Sequence, residues 1–377
     1  MAASKHGKLI LVLLALLGFL VGGRLDLALK PAEGTLLLSV DRAETIVAPD
    51  GRSVAIVGTE PSSGWRIQFR SSITGKTVGP DLQLQGVNRH WGTLSEDGRY
   101  YCWRQGDRLR TWDVKSGRLL YESMEPDGIG LDRLSRDGRR LLHSHYRSGT
   151  GRPDEILWAV TDTASGRHLV QGRTLAQQFG GIDMSGDGHR FALSTAEETA
   201  IYALPGGRRA KRLREGPGHI HTVHGGRWFS LQHGRNLRLY DFANGKPVSP
   251  VLPHGTSFCA VMAVDDRTKR AASWGLDGRL LIWDLPSGRL LREEATNWAT
   301  DMSRDGKLTG TTTGAAWGAE VTVRELESER VRFRLSKADD ESYLQLRTVQ
   351  QQGPRGVAWV VRAMPHSHEA RVEAWEF

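Results

Sequence analysis

Apolar residues along this chain come in runs of about four, each closed within a few positions by a glycine able to take positive φ. In the clearest stretch, Asp277-Gly-Arg-Leu-Leu-Ile-Trp-Asp-Leu-Pro-Ser-Gly-Arg-Leu-Leu at 277–291, Leu280 to Trp283 read as a strand buried on both faces. Ser287 and Gly288 supply a turn and Leu290 opens a returning strand, so the stretch predicts a β-hairpin. After the amino terminus no run of ten or more residues keeps an apolar period of 3.6, and Gly or Pro interrupts nearly every such window. The chain is predicted to be all-β.

The hairpin recurs. With the aromatic set five residues before the turn glycine, Trp112 and Gly117, Tyr202 and Gly207, and Tyr240 and Gly245 match Trp283 and Gly288 without a gap. Residues 321–329 keep the frame without aromatic or glycine, 371–377 keep the aromatic as Trp375, and the copies at 66–75 and 156–166 run one residue long. A second turn marker precedes each copy: Asp50-Gly51, Asp97-Gly98, Asp137-Gly138, Asp187-Gly188, Gly225-Gly226, Asp265-Asp266, Asp305-Gly306 and Gly353-Pro354. These eight markers stand about 43 residues apart, the length of a four-stranded propeller blade.

Trp283-Asp284 before such a turn, with Asp277 upstream, resembles the WD40 repeat of β-propellers. The resemblance implies a single eight-bladed WD40-like β-propeller over 34–377, with Trp112, Trp283, Tyr202, Tyr240 and Trp375 as packing residues between blades. The eighth unit shows three strands, at 344–349, 356–361 and 370–375, and no fourth. Residues 36–40 read as a strand without a unit of its own, and supplying it there would close the ring by a strand swap, as WD40 propellers commonly do, and remove exposed edges. Gly218-His219 resembles the dipeptide that opens a WD40 unit, but most units lack it, so the family's full His-Ser-Trp-Asp network is not expected here.

The amino terminus changes the picture. Residues 9–21 are uninterruptedly apolar between Lys8 and Arg24. As a helix, residues 9–23 would cover about 22 Å, short of the ~30 Å hydrocarbon core but suited to a signal peptide. Residues 1–23 are therefore expected to be a signal peptide or a signal-anchor helix, with 24–33 as a linker. Lys5 and Lys8 place the propeller outside the cytoplasm, either membrane-anchored and facing the extracytoplasmic side, or periplasmic or secreted after cleavage.

Candidate chemistry is sparse. Cys102 and Cys259 fall about opposite each other around the ring and read as buried small residues rather than a bridge. Gly75-Lys76-Thr77 ends like a phosphate-binding loop, but Arg70 stands where that loop needs its first glycine. No nucleophile elbow, zinc helix or Cys-x-x-Cys pair is present. His143 with His145, His219 with His221 and His224, and His366 with His368 can each present two imidazoles on one strand face, although no carboxylate pattern accompanies them. No catalytic residue, metal site or cofactor is assigned.

The formal charge of +8 favours anionic partners, acidic proteins among them, by long-range attraction. Arginines at turns (Arg52, Arg99, Arg139, Arg190, Arg279) read as solvated rims rather than a nucleic-acid stripe, and no nucleic-acid partner is expected. The WD40 resemblance implies a non-enzymatic, monomeric protein-interaction scaffold. A propeller binding a small molecule or glycan and an eight-bladed quinoprotein-like enzyme are the alternatives. The connections between second and third strands read as long in units 1, 3, 7 and 8, at 59–64, 146–154, 313–319 and 363–369. Trp317, His366, His368, Arg147 and Arg152 on them are the candidate partner-binding residues.

Overall fold

The computed structural model describes residues 34–377 except 42, 49–51, 61–63, 86–89, 96, 106–107, 125–131, 148–152, 224, 257–258, 266–267, 297–299, 304–306, 315–318, 338–342, 353–354 and 364–369. The expected leader or anchor at 1–23 and the linker at 24–33 lie outside them. Among the described residues no helix is long and apolar enough to cross a membrane, and the one helical element is a single 3-10 turn, Ala176–Gln178.

Eight four-stranded antiparallel sheets follow one another, the blades of one closed ring. Blades 1 to 7 each use four consecutive strands, which we letter A to D from the inside out, from Ala43–Val47 of blade 1 to Val331–Ser336 of blade 7. Blade 8 takes A, B and C from Tyr343–Gln352, Arg355–Ala363 and Ala370–Glu376, and D from the amino-terminal strand Thr35–Asp41. The swap expected for residues 36–40 is thus present, with Thr35 opposite Glu376 and Asp41 opposite Arg371.

There is no single core. Each of the eight blade interfaces buries its own apolar cluster, so every sheet is apolar on both faces, which is why the strands read as runs rather than as alternations. The packing aromatics lie where expected. Trp112 packs against blade 1, Tyr202 against blade 3, Tyr240 against blade 4, Trp283 against blade 5 and Trp375 against Phe333 of blade 7. Polar side chains on B strands also link blades: Ser194 Oγ accepts from the Gly218 amide at 2.9 Å, and Thr312 Oγ1 from the Leu346 amide at 3.0 Å.

One sequence expectation is corrected. The copies at 66–75 and 156–166 carry no insertion: Gly75 N donates to Ser71 O and Gly166 N to Asp162 O, the same turn that Gly117 closes onto Asp113. The position before the turn is therefore Arg70 or Thr161, and Phe69 and Trp158 point the other way, onto Tyr101 of blade 2 and Phe191 of blade 4. In the A–B turn of blade 6 Lys269 takes the left-handed conformation, at φ 55°.

Strand direction gives the disc two distinct faces. All A–B and C–D turns lie on one, the turn face; the B–C connections and the links between blades lie on the other, the loop face. Because Thr35 pairs with Glu376 at the lower end of a C strand, the chain enters the propeller from the turn face.

Candidate functional site

Closure makes blades 7, 8 and 1 neighbours, so their B–C connections share one sector of the loop face. Blade 1 departs from expectation: its strands extend to Glu60 and resume at Gly64, leaving a connection of only residues 61–63. The connections of blades 3, 7 and 8 span 148–154, 314–319 and 364–369. Trp317, His366, His368 and Arg152 lie outside the described residues. Arg147 is described and half-exposed: its guanidinium pairs with Glu155 on the facing strand, and the neighbouring Tyr146 hydroxyl donates to Asp154. The cross-strand register places Arg147 opposite Glu155, a pairing invisible to loop length alone.

Inside the ring the histidines do structural work. His143 and His145 are buried on strand B of blade 3. His143 Nε2 lies 3.1 Å from Thr161 Oγ1, which lies 2.9 Å from His168 Nδ1, a chain across three strands of one blade. Burial, reinforced by Arg104 and then His168 and His145, lowers the His143 pKa to about 3, so the ring is neutral at ordinary pH. His219 Nδ1 meets the Gly180 carbonyl at 3.1 Å, while His224 lies outside the described residues. No group of three metal-ligating side chains occurs among the described residues. On the inner strands Asp183 of blade 4 pairs with Arg133 of blade 3 and accepts from the Thr222 amide of blade 5 at 2.7 Å, joining three blades at the channel wall.

The turn face carries the feature that sequence reading left as scattered rims. In seven blades the C–D turn ends with a basic residue directly after the left-handed position: Lys76, Arg118, Arg167, Arg208, Lys246, Arg289 and Arg330. All seven are exposed. The acidic residues of the same turns accept bonds within the turn, and Asp113 and Asp241 also pair with Arg99 and Arg227 beside the A–B turns. Asp113 Oδ1 accepts from both the amide and the hydroxyl of Ser116, and Asp162 Oδ1 likewise from Ser165. The Ser287 hydroxyl and amide, helped by Arg289, hold Asp284 below the usual carboxylate range. Elsewhere cations sit on nearby carboxylates, as Arg209 does on Glu198 at 3.0 Å and Arg279 on Asp277 at 2.7 Å near the loop face. Of the five turn arginines singled out in the sequence, Arg52, Arg99, Arg139 and Arg190 belong to the A–B turns of the turn face, and only Arg279 to the loop face.

With this geometry, two solved structures are similar. The C-terminal WD40 domain of Sif2 aligns with a TM-score of 0.64 at 14% identity, covering 91% of this chain and 98% of that one. BamB from Moraxella catarrhalis aligns with a TM-score of 0.58 at 12% identity, covering 92% and 98%. The fold is an eight-bladed WD40-like β-propeller. No protein-family profile and no curated protein matches at the level of sequence.

The WD40-like interior holds one residue set that sequence reading missed. In blade 6, Trp283 Nε1 donates to Ser273 Oγ at 2.7 Å, Asp277 sits in the adjoining B–C turn, and buried His254 reaches in from the link to blade 5. Burial lowers the His254 pKa while the Asp277 charge opposes the shift. All four residue types of the His-Ser-Trp-Asp set thus occur in this blade, with the Trp283–Ser273 bond formed and both ring nitrogens of His254 buried without a hydrogen-bond partner among the described residues. The histidine escaped notice because Pro253 precedes it where the WD40 dipeptide has glycine.

Proposed function

We propose that this propeller is a non-enzymatic, monomeric interaction scaffold held outside the cytoplasm, presenting its loop face to a protein partner. The observation that carries the reading is the pairing of Thr35 with Glu376. It gathers the B–C connections of blades 7, 8 and 1 into one sector, and it leaves that sector on the face opposite the point where residues 1–33 join. The apolar run 9–21 between Lys8 and Arg24 supports export, and a retained anchor would point the loop face away from the bilayer. The net charge of +8 favours an acidic partner. Trp317, His366, His368, Arg147 and Arg152 are the contact residues of this reading, with Arg147 also pairing with Glu155.

A photo-crosslinking residue placed at Tyr146 or Thr313 in cells is expected to trap a discrete partner, and shortening 313–319 and 363–369 to tight turns should abolish that product with folding intact. Undiminished capture by the shortened protein, or cross-links only from turn-face positions such as Asn244, would overturn the reading. A reporter fused after residue 40 that works only in the cytoplasm would overturn the location.

A further inference from the structure

We infer that the turn face is a docking surface for an anionic lipid bilayer. Three observations on the page converge on it. First, the seven basic residues after the C–D turns stand on this one face, exposed, while the carboxylates of the same turns are turned inward onto serine hydroxyls and backbone amides. Among the described residues no hydrogen-bonded ion pair holds Arg118, Arg167, Arg208 or Lys246 to a carboxylate, in contrast to Arg209, Arg212 and Arg238, which are held by Glu198 and Glu215. Blade 7 is the exception, where exposed Glu327 and Glu329 lie beside Arg330 in the same turn.

Second, apolar side chains stand exposed beside these cations. Leu119 follows Arg118 and Leu290 follows Arg289, at 44% and 40% exposure, and Val78 lies two positions beyond Lys76. Cations level with headgroups and apolar side chains at the acyl boundary are the two contributions that hold a peripheral surface on a membrane.

Third, the chain arrives on this face. Gly34 leads into Thr35 at the end of the blade where Glu376 and the carboxyl terminus lie, and 33 residues precede it, among them the apolar run 9–21. The ten residues 24–33 can extend at most about 35 Å, so a bilayer holding the apolar run lies within reach of this face, the nearer of the two. A soluble polyanion would explain the cations but neither the exposed leucines nor the direction from which the chain arrives.

The assignment concerns the face opposite the proposed partner site, and its test does not depend on any partner. Cys102 and Cys259 are buried, so a fluorophore can be directed to Ser116→Cys on the turn face or to Tyr146→Cys on the loop face of the full chain. The labelled protein is reconstituted in vesicles of phosphatidylcholine alone or mixed with phosphatidylglycerol, each carrying a headgroup quencher. The Ser116 probe is expected to be quenched more as phosphatidylglycerol is added, and high salt should reverse the gain; the Tyr146 probe should not respond. Each cation within a Debye length of the surface contributes about fivefold to the ratio of docked to undocked protein. Arg118→Gln with Arg167→Gln should therefore lower that ratio by about tenfold or more, and Glu at Arg118, Arg167, Arg208 and Lys246 together should remove the lipid dependence. Thermal melts of the variants, read beside the wild type, show whether the ring is intact, and the salt titration of the wild type needs no variant. Equal quenching of the Ser116 probe with and without phosphatidylglycerol overturns the inference. So does a response confined to added heparin, which would assign the face to a soluble polyanion.

Discussion

The indole N–H of Trp359 in blade 8 donates to the main-chain carbonyl of Ser72 in blade 1 at 2.6 Å, joining residues 287 positions apart across the closure of the ring. Both residues are fully buried, so neither group has water as an alternative partner.

Trp359→Phe keeps most of the apolar volume and leaves the Ser72 carbonyl without this donor, so it should cost about 1–3 kcal/mol. Deleting residues 370–377 removes strand C of blade 8 and with it the partner of the amino-terminal strand, and should be far more damaging. Denaturant melts of the two variants measure the difference; a truncated protein that melts like wild type would contradict the closure.

Trp283→Ala and Trp112→Ala each open a cavity between neighbouring blades and should cost roughly 3–5 kcal/mol. Trp283→Phe separates packing from polarity, because it loses only the 2.7 Å bond to Ser273 and a small part of the volume. It should fall well short of the alanine variant in the same melt.

Glu329 occupies the left-handed position of its C–D turn, at φ 60°, where blades 1 to 6 place glycine. Glu329→Gly relieves backbone strain but adds freedom to the unfolded chain, for a net gain of about 1 kcal/mol. A melting temperature at or below that of wild type would show that the turn bears no strain.

His143 supplies a pH dependence whose sign is fixed by burial. Its folded pKa of about 3 lies below the usual value of 6.5, so in that interval the unfolded chain binds a proton that the folded chain refuses. The stability it contributes is complete above pH 6.5 and is lost as pH falls toward 3, at up to about 1.4 kcal/mol per pH unit. Asp113, Asp162, Asp187 and Glu325, all lowered, add their own loss at more acid pH. His143→Gln should flatten the slope between pH 6.5 and 5 and leave the acid limb in place; equal slopes in the two proteins would remove His143 from the account.

The local chemistry of the blades was legible in the residue order. A turn closes within five residues, so Ser287 and Gly288 announce it wherever they fold, and a strand buried on both faces must be an apolar run. Eight units, all-β structure, the missing fourth strand and its donor at 36–40 all follow from such short-range signals. What only the tertiary structure decided are relations between distant residues. The face toward which Phe69 and Trp158 point, the pairing of Arg147 with Glu155, and the approach of His254 to Asp277 depend on register and on neighbouring blades. The same holds for the turn-face cations: in sequence they are basic residues scattered at intervals, and only the common direction of the C strands brings them onto one surface, beside the point where the chain arrives.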